Sequence, residues 1–164
     1  MAKIYYHDFL LSILKKKKGL ALDLACGYSI YSKILVRNGW KVDSIDISQQ
    51  LKFENKFFNE KFHNIDLQSF KNNLHFKRLV SKKYNLILLI KYTNRPLMKS
   101  LPNYLKNEGY IFCENFMVKK LHNRSYRLKR FELFSLFREK IRRVKFFQGI
   151  IKDNKEIQSA VFQK

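Results

Sequence analysis

The sequence predicts a doubly wound α/β fold, in which a mostly parallel sheet carries helices on both faces and ends in an antiparallel C-terminal edge hairpin. Short apolar runs alternate with amphipathic segments, which is typical of strands joined by crossover helices. Two strand-like segments close the chain, joined by the turn-like tripeptide Lys152-Asp153-Asn154. The 164 residues fit one domain over 1–164, since compact domains usually hold about 100–200 residues.

Hydrophobic periodicity places each element in turn. Residues 84–90 (Y-N-L-I-L-L-I) have the strongest strand pattern, residues 66–83 have no clear pattern, and Ser48 is a candidate helix N-cap. The predicted strands are 19–26, 41–47, 61–65, 84–90, 110–116, 143–151 and 155–163. The predicted helices are 3–14, 29–38, 96–106 and 130–140, the first within an N-terminal region of residues 1–18 and the last within a basic insertion of residues 119–145.

The chain is strongly basic, with 34 Lys or Arg against 13 Asp or Glu and a formal charge of +21. A basic surface favours nucleic-acid partners through counterion release from phosphates. Most of the excess is scattered lysine in a chain that is also rich in Asn, Ile, Phe and Tyr, which compositional drift explains equally well. Local clustering of the charge is therefore more informative than its total.

Several classes of protein are disfavoured by simple patterns. The longest apolar runs fall far short of the roughly 18–20 residues that span a bilayer. The apolar stretch 9–14 precedes the lysines 15–18, which is the reverse of a secretory signal. Cys26 and Cys113 are the only cysteines and have no metal-type spacing, so we expect no metal site and a cytoplasmic location.

The turn after the first predicted strand carries the most chemical information. Residues 22–29 read L-D-L-A-C-G-Y-S, and small residues there let the backbone approach a ligand closely. Asp46 follows Gly27 by nineteen residues, at the end of the second strand, where a carboxylate can accept both hydroxyls of a ribose. Asp66 ends the third strand, where a side chain can reach an adenine edge. Asp46 could instead cap the following helix, and Asp66 could be an ordinary turn residue.

These residues resemble the class I S-adenosylmethionine-dependent methyltransferases, whose first motif reads roughly D-x-G-x-G-x-G. The resemblance implies a Rossmann-like fold and S-adenosylmethionine as cofactor. It places Asp23 near the methionine end of the cofactor, Gly27 beneath it, Asp46 on the ribose and Asp66 beside the adenine amine. Ala25 and Ser29 stand where that motif has its first and third glycines.

The resemblance extends to residues of about 10–163, through a small bacterial subgroup of the same family. Residues 92–97 (Y-T-N-R-P-L) match Y-x-x-R-P-L after the fourth strand. Residues 105–116 match a fifth strand that begins at P-G-G and ends in E-T-F, although N-E-G replaces the P-G-G turn. Tyr92, Arg95 and Glu114 are therefore catalytic candidates, with packing, helix entry or edge pairing as their alternative roles.

Residues 119–145 contain 11 Lys or Arg and two Glu, a local net charge of +9. Phe131, Phe134 and Phe137 interleave with these charges, as in surfaces that bind RNA through phosphates and base stacking. Their spacing of three also suits the buried face of an amphipathic helix, which is the interpretation we favour. The basic residues that precede this helix are the candidates for an anionic substrate or RNA: Arg124, Arg127, Lys129 and Arg130.

Three functions are in competition. The first is a methyltransferase acting on an unidentified acceptor, which the basic cluster suggests is anionic. The second is a degenerate protein of the same fold that binds RNA or another polyanion. The third, a nicotinamide-dependent oxidoreductase, ranks low because the first turn lacks G-x-G-x-x-G. The N-P-P-Y motif of many amino-methylating enzymes is also missing after the fourth strand.

Overall fold

A computed structural model describes residues 4–48, 59–117, 126–137, 140–151 and 154–164. Seven strands form one sheet in the order β3-β2-β1-β4-β5-β7-β6. The strands are β1 (Leu20–Leu24), β2 (Lys41–Asp46), β3 (Glu60–Asn64), β4 (Tyr84–Ile90), β5 (Leu105–Phe116), β6 (Arg142–Ile151) and β7 (Lys155–Gln163). The helices are α1 (His7–Lys16), α2 (Ile30–Arg37), α3 (Leu74–Ser81), α4 (Arg95–Ser100) and α5 (Glu132–Phe137).

The strand order reverses between β1 and β4. β1 pairs in parallel with both β2 and β4, and β4 pairs in parallel with β5. β7 is antiparallel to β5 and to β6, so the hairpin closes one edge of the sheet. The carboxyl ends of the five parallel strands therefore meet at one edge, beside a switch point where such folds bind ligands.

Two apolar clusters cover the two faces of the sheet. On one face, α1 and α2 contribute Leu10, Leu14 and Leu35, which pack with Trp40. On the other face, α3, α4 and α5 contribute buried residues that include Phe76, Leu97, Leu133 and Phe137. Neighbouring residues along a strand divide between the clusters: Ala21 belongs to the first and Leu22 to the second. Burial on both faces explains the unbroken apolar run Leu86–Leu89 of β4.

The predicted fold class, with its antiparallel edge hairpin, is confirmed, but several boundaries were wrong. Residues 66–83 contain a 3₁₀ turn (Leu67–Ser69) and α3, whose buried positions are spread among exposed ones over only eight residues. The predicted helix 96–106 ends at Ser100 and continues as a 3₁₀ turn. β5 starts at residue 105, five residues earlier than predicted, because Leu105 pairs with Tyr84 ahead of a register shift.

The phenylalanine spacing did not produce a single buried face. Phe137 is fully buried, but Phe131 precedes α5 and is 51% exposed, with its ring stacked on Phe146. Leu133 supplies the other fully buried position of α5. Two predicted features lie outside the described residues: the segment 49–58 after Ser48, and Lys152 and Asp153 of the predicted turn. Within the described part of the chain, every helix is too short or too polar to cross a membrane.

Candidate functional site

The loop between β1 and α2 has the backbone conformation of a glycine-rich turn, although it contains only one glycine. Ala25, Gly27 and Ser29 have φ angles of 53°, 52° and 52°, all in the left-handed region that favours glycine. The Cys26 N–H donates to the Ile45 carbonyl at 3.0 Å, which ties the loop to β2. The Ser29 side chain is fully buried and its hydroxyl donates to Cys26 Sγ at 3.6 Å. This hydroxyl therefore points into the protein.

We expect the Ser29→Gly variant to have a free energy of unfolding about 0.5–1 kcal/mol higher than that of the wild type. A left-handed conformation costs a non-glycine residue roughly 1–2 kcal/mol, and the extra entropy of unfolded glycine offsets part of the gain. Urea denaturation measures the difference. Ser12→Gly is the matched control, because Ser12 lies in the middle of α1, where glycine is destabilising. Destabilisation of Ser29→Gly as large as that of Ser12→Gly would contradict the expectation.

Asp46 holds the same loop from the end of β2. Its Oδ2 atom accepts the Gly27 N–H at 2.9 Å, and its Oδ1 atom accepts the Ser48 N–H at 2.9 Å. A carboxylate offers about four lone-pair positions, so each oxygen can accept one further hydrogen bond. The residue therefore both shapes the loop and presents acceptors at the carboxyl edge of the sheet.

A cavity of about 260 Å³, the smaller cavity, brings three of the predicted cofactor-binding residues together. Ala25, Asp46 and Asp66 all line it, as does Tyr92 from the end of β4. Its volume lies just below the roughly 300–1,000 Å³ usual for small-molecule sites. The remaining lining residues are Ile47, Ile65, Leu67 and Gln68.

Those four residues were absent from the sequence prediction. Ile47 directly follows Asp46 at the end of β2, and Leu67 directly follows Asp66, which lies two residues beyond the end of β3. Ile47 is 65% exposed, so it presents apolar surface to the cavity that it lines. The signal that could have found them is their adjacency to Asp46 and Asp66.

Asp66 has a local role in the chain. Its Oδ1 atom accepts the Gln68 N–H at 2.8 Å and so caps the 3₁₀ turn Leu67–Ser69. This is the turn role that the sequence left open, and the residue also lines the smaller cavity. One carboxylate oxygen is used by the cap, and the other accepts no hydrogen bond from a side chain or backbone group within the described ranges.

Asp23 lies beneath the loop, with only 3% of its surface exposed. Its Oδ2 atom contacts the Ser32 N–H at 3.1 Å and the Ser32 hydroxyl at 2.6 Å. Burial, and to a lesser degree the nearby Glu60 carboxylate, raise the pKa of Asp23 to about 7, against the opposing effect of Ser32. The other three predicted cofactor-binding residues do not line the smaller cavity: Asp23, Gly27 and Ser29.

A larger cavity of about 520 Å³ adjoins the smaller one. Gln68 lines both cavities, and its Nε2 atom donates to the Tyr92 hydroxyl at 3.0 Å. Burial raises the pKa of Tyr92, so its phenol is neutral at neutral pH. The other lining residues of the larger cavity are Ser69, Phe70, Lys71, Asn72, Thr93, Asn94, Arg95, Pro96 and Tyr126.

Arg95 forms an ion pair with Glu132 of α5. Its guanidinium engages both carboxylate oxygens of Glu132, with Nη2 at 3.0 Å from Oε2, and also donates to the Arg127 carbonyl at 2.9 Å. Burial opposes ionisation of Glu132, but hydrogen bonds from Arg95 and from the Lys129 N–H hold the pKa of Glu132 below its usual range. Arg95 thus fastens residues 127–132 to the start of α4.

We expect Arg95→Ala to lower the free energy of unfolding by about 1–2 kcal/mol, and Arg95→Lys to restore little of it. A charge-assisted hydrogen bond contributes about 1.5–3 kcal/mol, reduced here because the Arg95 side chain is 30% exposed. Lysine lacks the planar fork that engages both oxygens. Denaturation and amide exchange of residues 126–137 measure the effect, with Arg78→Ala, an exposed arginine of α3, as control. Unchanged exchange in that segment would contradict the expectation.

Glu114 anchors the N-terminal segment. Its Oε2 atom accepts the Tyr5 N–H at 2.6 Å, and the Tyr5 ring stacks on Phe147 at a centroid distance of 3.8 Å. Burial raises the pKa of Glu114, against hydrogen bonds from Tyr5 and Ser159. The arrangement gives Glu114 a positioning role at the end of β5.

The basic residues before α5 lie along the end of β5. The Leu128 N–H donates to the Phe116 carbonyl at 2.9 Å, and the Thr93 hydroxyl donates to the Tyr126 carbonyl at 3.0 Å. Three of the predicted basic residues are exposed on this segment: Arg127, Lys129 and Arg130. The fourth, Arg124, lies outside the described residues.

The described residues give little support to other chemistries. Burial raises the pKa of the Cys26 thiol above its usual range, which keeps it protonated and unreactive. His63 and His75 contact each other, at 2.9 Å between Nδ1 and Nε2. No group of three or more potential ligands in the described ranges is placed to hold a metal ion.

Comparisons with known proteins agree with this architecture. No protein-family model matches the chain, and no curated protein matches it. TehB from Haemophilus influenzae matches with a TM-score of 0.76 and 16% identity, over 99% of this chain but only 63% of TehB. The N-methyltransferase NodS from Bradyrhizobium japonicum WM9, in complex with S-adenosylhomocysteine, matches with a TM-score of 0.71 and 10% identity, over 98% of this chain and 88% of NodS.

A third solved structure is the 1,6-didemethyltoxoflavin-N1-methyltransferase from Burkholderia thailandensis, with bound 1,6-didemethyltoxoflavin and S-adenosylhomocysteine. It matches with a TM-score of 0.65 and 13% identity, over 95% of this chain and 75% of the enzyme. The chain therefore has the Rossmann-like fold of S-adenosylmethionine-dependent methyltransferases. At these identities the likeness concerns the fold alone.

Proposed function

We propose that this protein is an S-adenosylmethionine-dependent methyltransferase whose cofactor site is the smaller cavity, and that residues 1–164 act as one domain. The observation that carries the proposal is the meeting of Asp46 and Asp66 with Ala25 in that cavity. These residues come from the ends of three different strands, beside the point where strand order reverses. The solved neighbours that hold S-adenosylhomocysteine support the choice of cofactor.

The residues present fit the group. Asp46 retains acceptor capacity on both oxygens, which suits two ribose hydroxyls. Asp66 retains an oxygen for an adenine amine. Ile47 and Leu67 line the cavity beside these carboxylates and supply the apolar surface that a purine ring needs.

The loop after β1 would receive the methionine part. Ala25, Gly27 and Ser29 keep the left-handed conformations of a glycine-rich turn, so the backbone can approach a ligand closely. Ser29 turns its hydroxyl away into the protein. A Cβ atom placed on Gly27 would meet no atom of a non-neighbouring residue within 4 Å, so the space beside this glycine is open.

The cofactor, when bound, supplies a methyl group on a positively charged sulfonium. The protein then has to bind, orient and desolvate the acceptor. Tyr92 borders the smaller cavity and is held by Gln68, so its neutral phenol is the best placed group to orient an acceptor. Arg95 and Glu114 act as positioning residues, since each is engaged by another segment of the chain.

The acceptor is proposed to be anionic. Arg127, Lys129 and Arg130 are exposed on the segment that Arg95 holds, and Tyr126 of that segment lines the larger cavity. A negatively charged acceptor near this cavity would be attracted by the exposed cations. Arg124 lies outside the described residues, so its place in this proposal rests on the sequence alone.

Calorimetric titration of the folded protein with S-adenosylhomocysteine tests the proposal. We expect saturable binding at a ratio of one ligand per chain. Absence of binding at millimolar ligand, with the protein shown to be folded, would overturn the cofactor site. A methyl-transfer assay with radiolabelled cofactor and pools of anionic small molecules then tests the acceptor class separately.

The alternative is a degenerate protein of the same fold that binds RNA, which the exposed Arg127, Lys129 and Arg130 favour. It predicts salt-sensitive binding of a labelled single-stranded RNA, weakened by Arg127→Glu with Arg130→Glu. Lys15→Glu with Lys16→Glu, on the exposed end of α1, is the matched control. Equal losses in both double variants would indicate unspecific attraction to the net charge.

A further inference from the structure

Four polar side chains form a continuous buried chain across β1, α2, β2 and β3. The Ser32 hydroxyl contacts Asp23 Oδ2 at 2.6 Å and the Ser44 hydroxyl at 2.7 Å. The Ser44 hydroxyl contacts Glu60 Oε1 at 2.6 Å. Ser32 and Ser44 are fully buried, and Asp23 and Glu60 are 3% and 9% exposed. Two carboxyl groups are thus joined through two hydroxyls.

If both carboxyls are ionised, these four side chains supply one hydrogen fewer than their three mutual contacts require. Three oxygen–oxygen contacts of hydrogen-bond length need three hydrogens, because each contact needs one donor. Ser32 and Ser44 supply one hydrogen each, and a carboxylate supplies none. The third hydrogen has to come from Asp23 or Glu60.

We propose that Asp23 and Glu60 share one proton at neutral pH through the two serine hydroxyls. With the proton on Glu60, Glu60 donates to Ser44, Ser44 to Ser32 and Ser32 to Asp23. With the proton on Asp23, all three hydrogen bonds run in the opposite direction. Transfer of one hydrogen across each contact interconverts the two arrangements without any net gain or loss of protons.

The surroundings fit a single negative charge on these four side chains. Glu60 Oε2 is buried and has no hydrogen-bond partner among the described residues, which a carboxylic acid tolerates better than a carboxylate. Asp23 Oδ2 also accepts the Ser32 N–H. The other titratable groups that interact with Asp23 are Cys26, Tyr31 and Asp46, and none of these three is a cation. Burial raises the pKa of Asp23 to about 7, which likewise favours a protonated carboxyl among these side chains.

The shared proton makes stability depend on pH. Unfolded carboxyls lose their protons near pH 4. In the folded protein, burial raises the pKa of the Asp23 carboxyl to about 7. Between these values the folded state binds more protons than the unfolded state, so the free energy of unfolding falls as pH rises. Asp23 lies two residues before Ala25, so the position of the proton also sets the charge beneath the loop.

The Glu60→Gln variant tests the proposal, because a glutamine amide donates to Ser44 as the protonated acid would. Infrared spectroscopy at neutral pH should detect the carbonyl stretch of a protonated carboxyl in the wild type. We expect Glu60→Gln to fold, to lose that band and to lose the fall in stability with pH. Glu114→Gln, which alters another buried glutamate, is the matched control and should retain the Asp23–Glu60 band.

The infrared band and the folding of Glu60→Gln each test whether the proton is shared. A wild-type protein without the band, a band unchanged in Glu60→Gln, or a Glu60→Gln protein that is unfolded at neutral pH would overturn the proposal. Labelling of either aspartate or glutamate with a heavy carboxyl carbon should shift the band, since the proton is shared by one residue of each type. A band that responds to only one of the two labels would show that the proton is not shared.

Discussion

Asp46→Ala is expected to weaken the binding of S-adenosylhomocysteine by about a hundredfold. The proposed ribose contact comprises two hydrogen bonds to a charged acceptor, each contributing about 1.5–3 kcal/mol, and about 1.4 kcal/mol corresponds to a factor of ten. The lower end of that range applies because Asp46 is only half-buried. The change also removes the acceptor for the Gly27 and Ser48 N–H groups, which loosens the loop. Calorimetry on the folded variant measures the loss.

Controls separate binding from folding. Asp66→Ala should weaken binding about tenfold, since one hydrogen bond to the adenine is at stake. Asp8→Ala, an exposed aspartate of α1, should bind as the wild type does. Wild-type affinity in Asp46→Ala would overturn the assignment, and the denaturation midpoint of each variant shows whether a loss reflects unfolding.

Asp43→Ala is expected to lower the free energy of unfolding by about 2–4 kcal/mol. Asp43 is buried, and its carboxylate accepts from His63 Nε2 at 2.9 Å, from the Tyr84 hydroxyl at 2.9 Å and from Lys82 Nζ at 3.3 Å. Among the described residues, alanine leaves the buried Tyr84 hydroxyl with only the Leu79 carbonyl as a partner and removes the acceptor of His63 Nε2. Lys82 is half-exposed and contributes little to the loss.

The loss in free energy of unfolding caused by Asp43→Ala should depend on pH. Burial opposes ionisation of Asp43, but hydrogen bonds from His63 and Tyr84 and the Lys82 charge hold its pKa below the usual range. Its contribution is therefore present above the unfolded pKa of about 3.9 and disappears as pH falls through the lower folded pKa. Urea denaturation at neutral and acidic pH checks this, with Asp8→Ala as control. A difference between wild type and Asp43→Ala that stays constant into acid would contradict the expectation.

Much of the fold followed from local patterns. The apolar run of β4 and the spacing between Gly27 and Asp46 placed the strands and the loop, because parallel strands bury both faces and end at one edge. Asp46 ends β2 and Asp66 lies two residues beyond the end of β3, and these positions likewise bring both to one cavity. α3 was missed because its buried positions, Phe76, Leu79 and Val80, occupy too short a stretch to establish a period.

The partners of the catalytic candidates could not be predicted. Arg95 and Glu132 are 37 residues apart, and Tyr5 and Glu114 are 109 apart. No local pattern records which segments cross near one another after the sheet has formed. The stacking of Phe131 on Phe146 could not be predicted for the same reason, since it depends on where β6 lies.

Periodicities of a few residues were sufficient to predict the alternation of strands and helices, the hairpin at the sheet edge and the acidic residues at the strand ends. The inward orientation of Ser29, the anchoring roles of Arg95 and Glu114, and the link from Asp23 to Glu60 through two serines emerge only in the folded chain. Those features depend on burial and on contacts between distant segments, and burial raises the free energy of a charge only once the surrounding chain has excluded water.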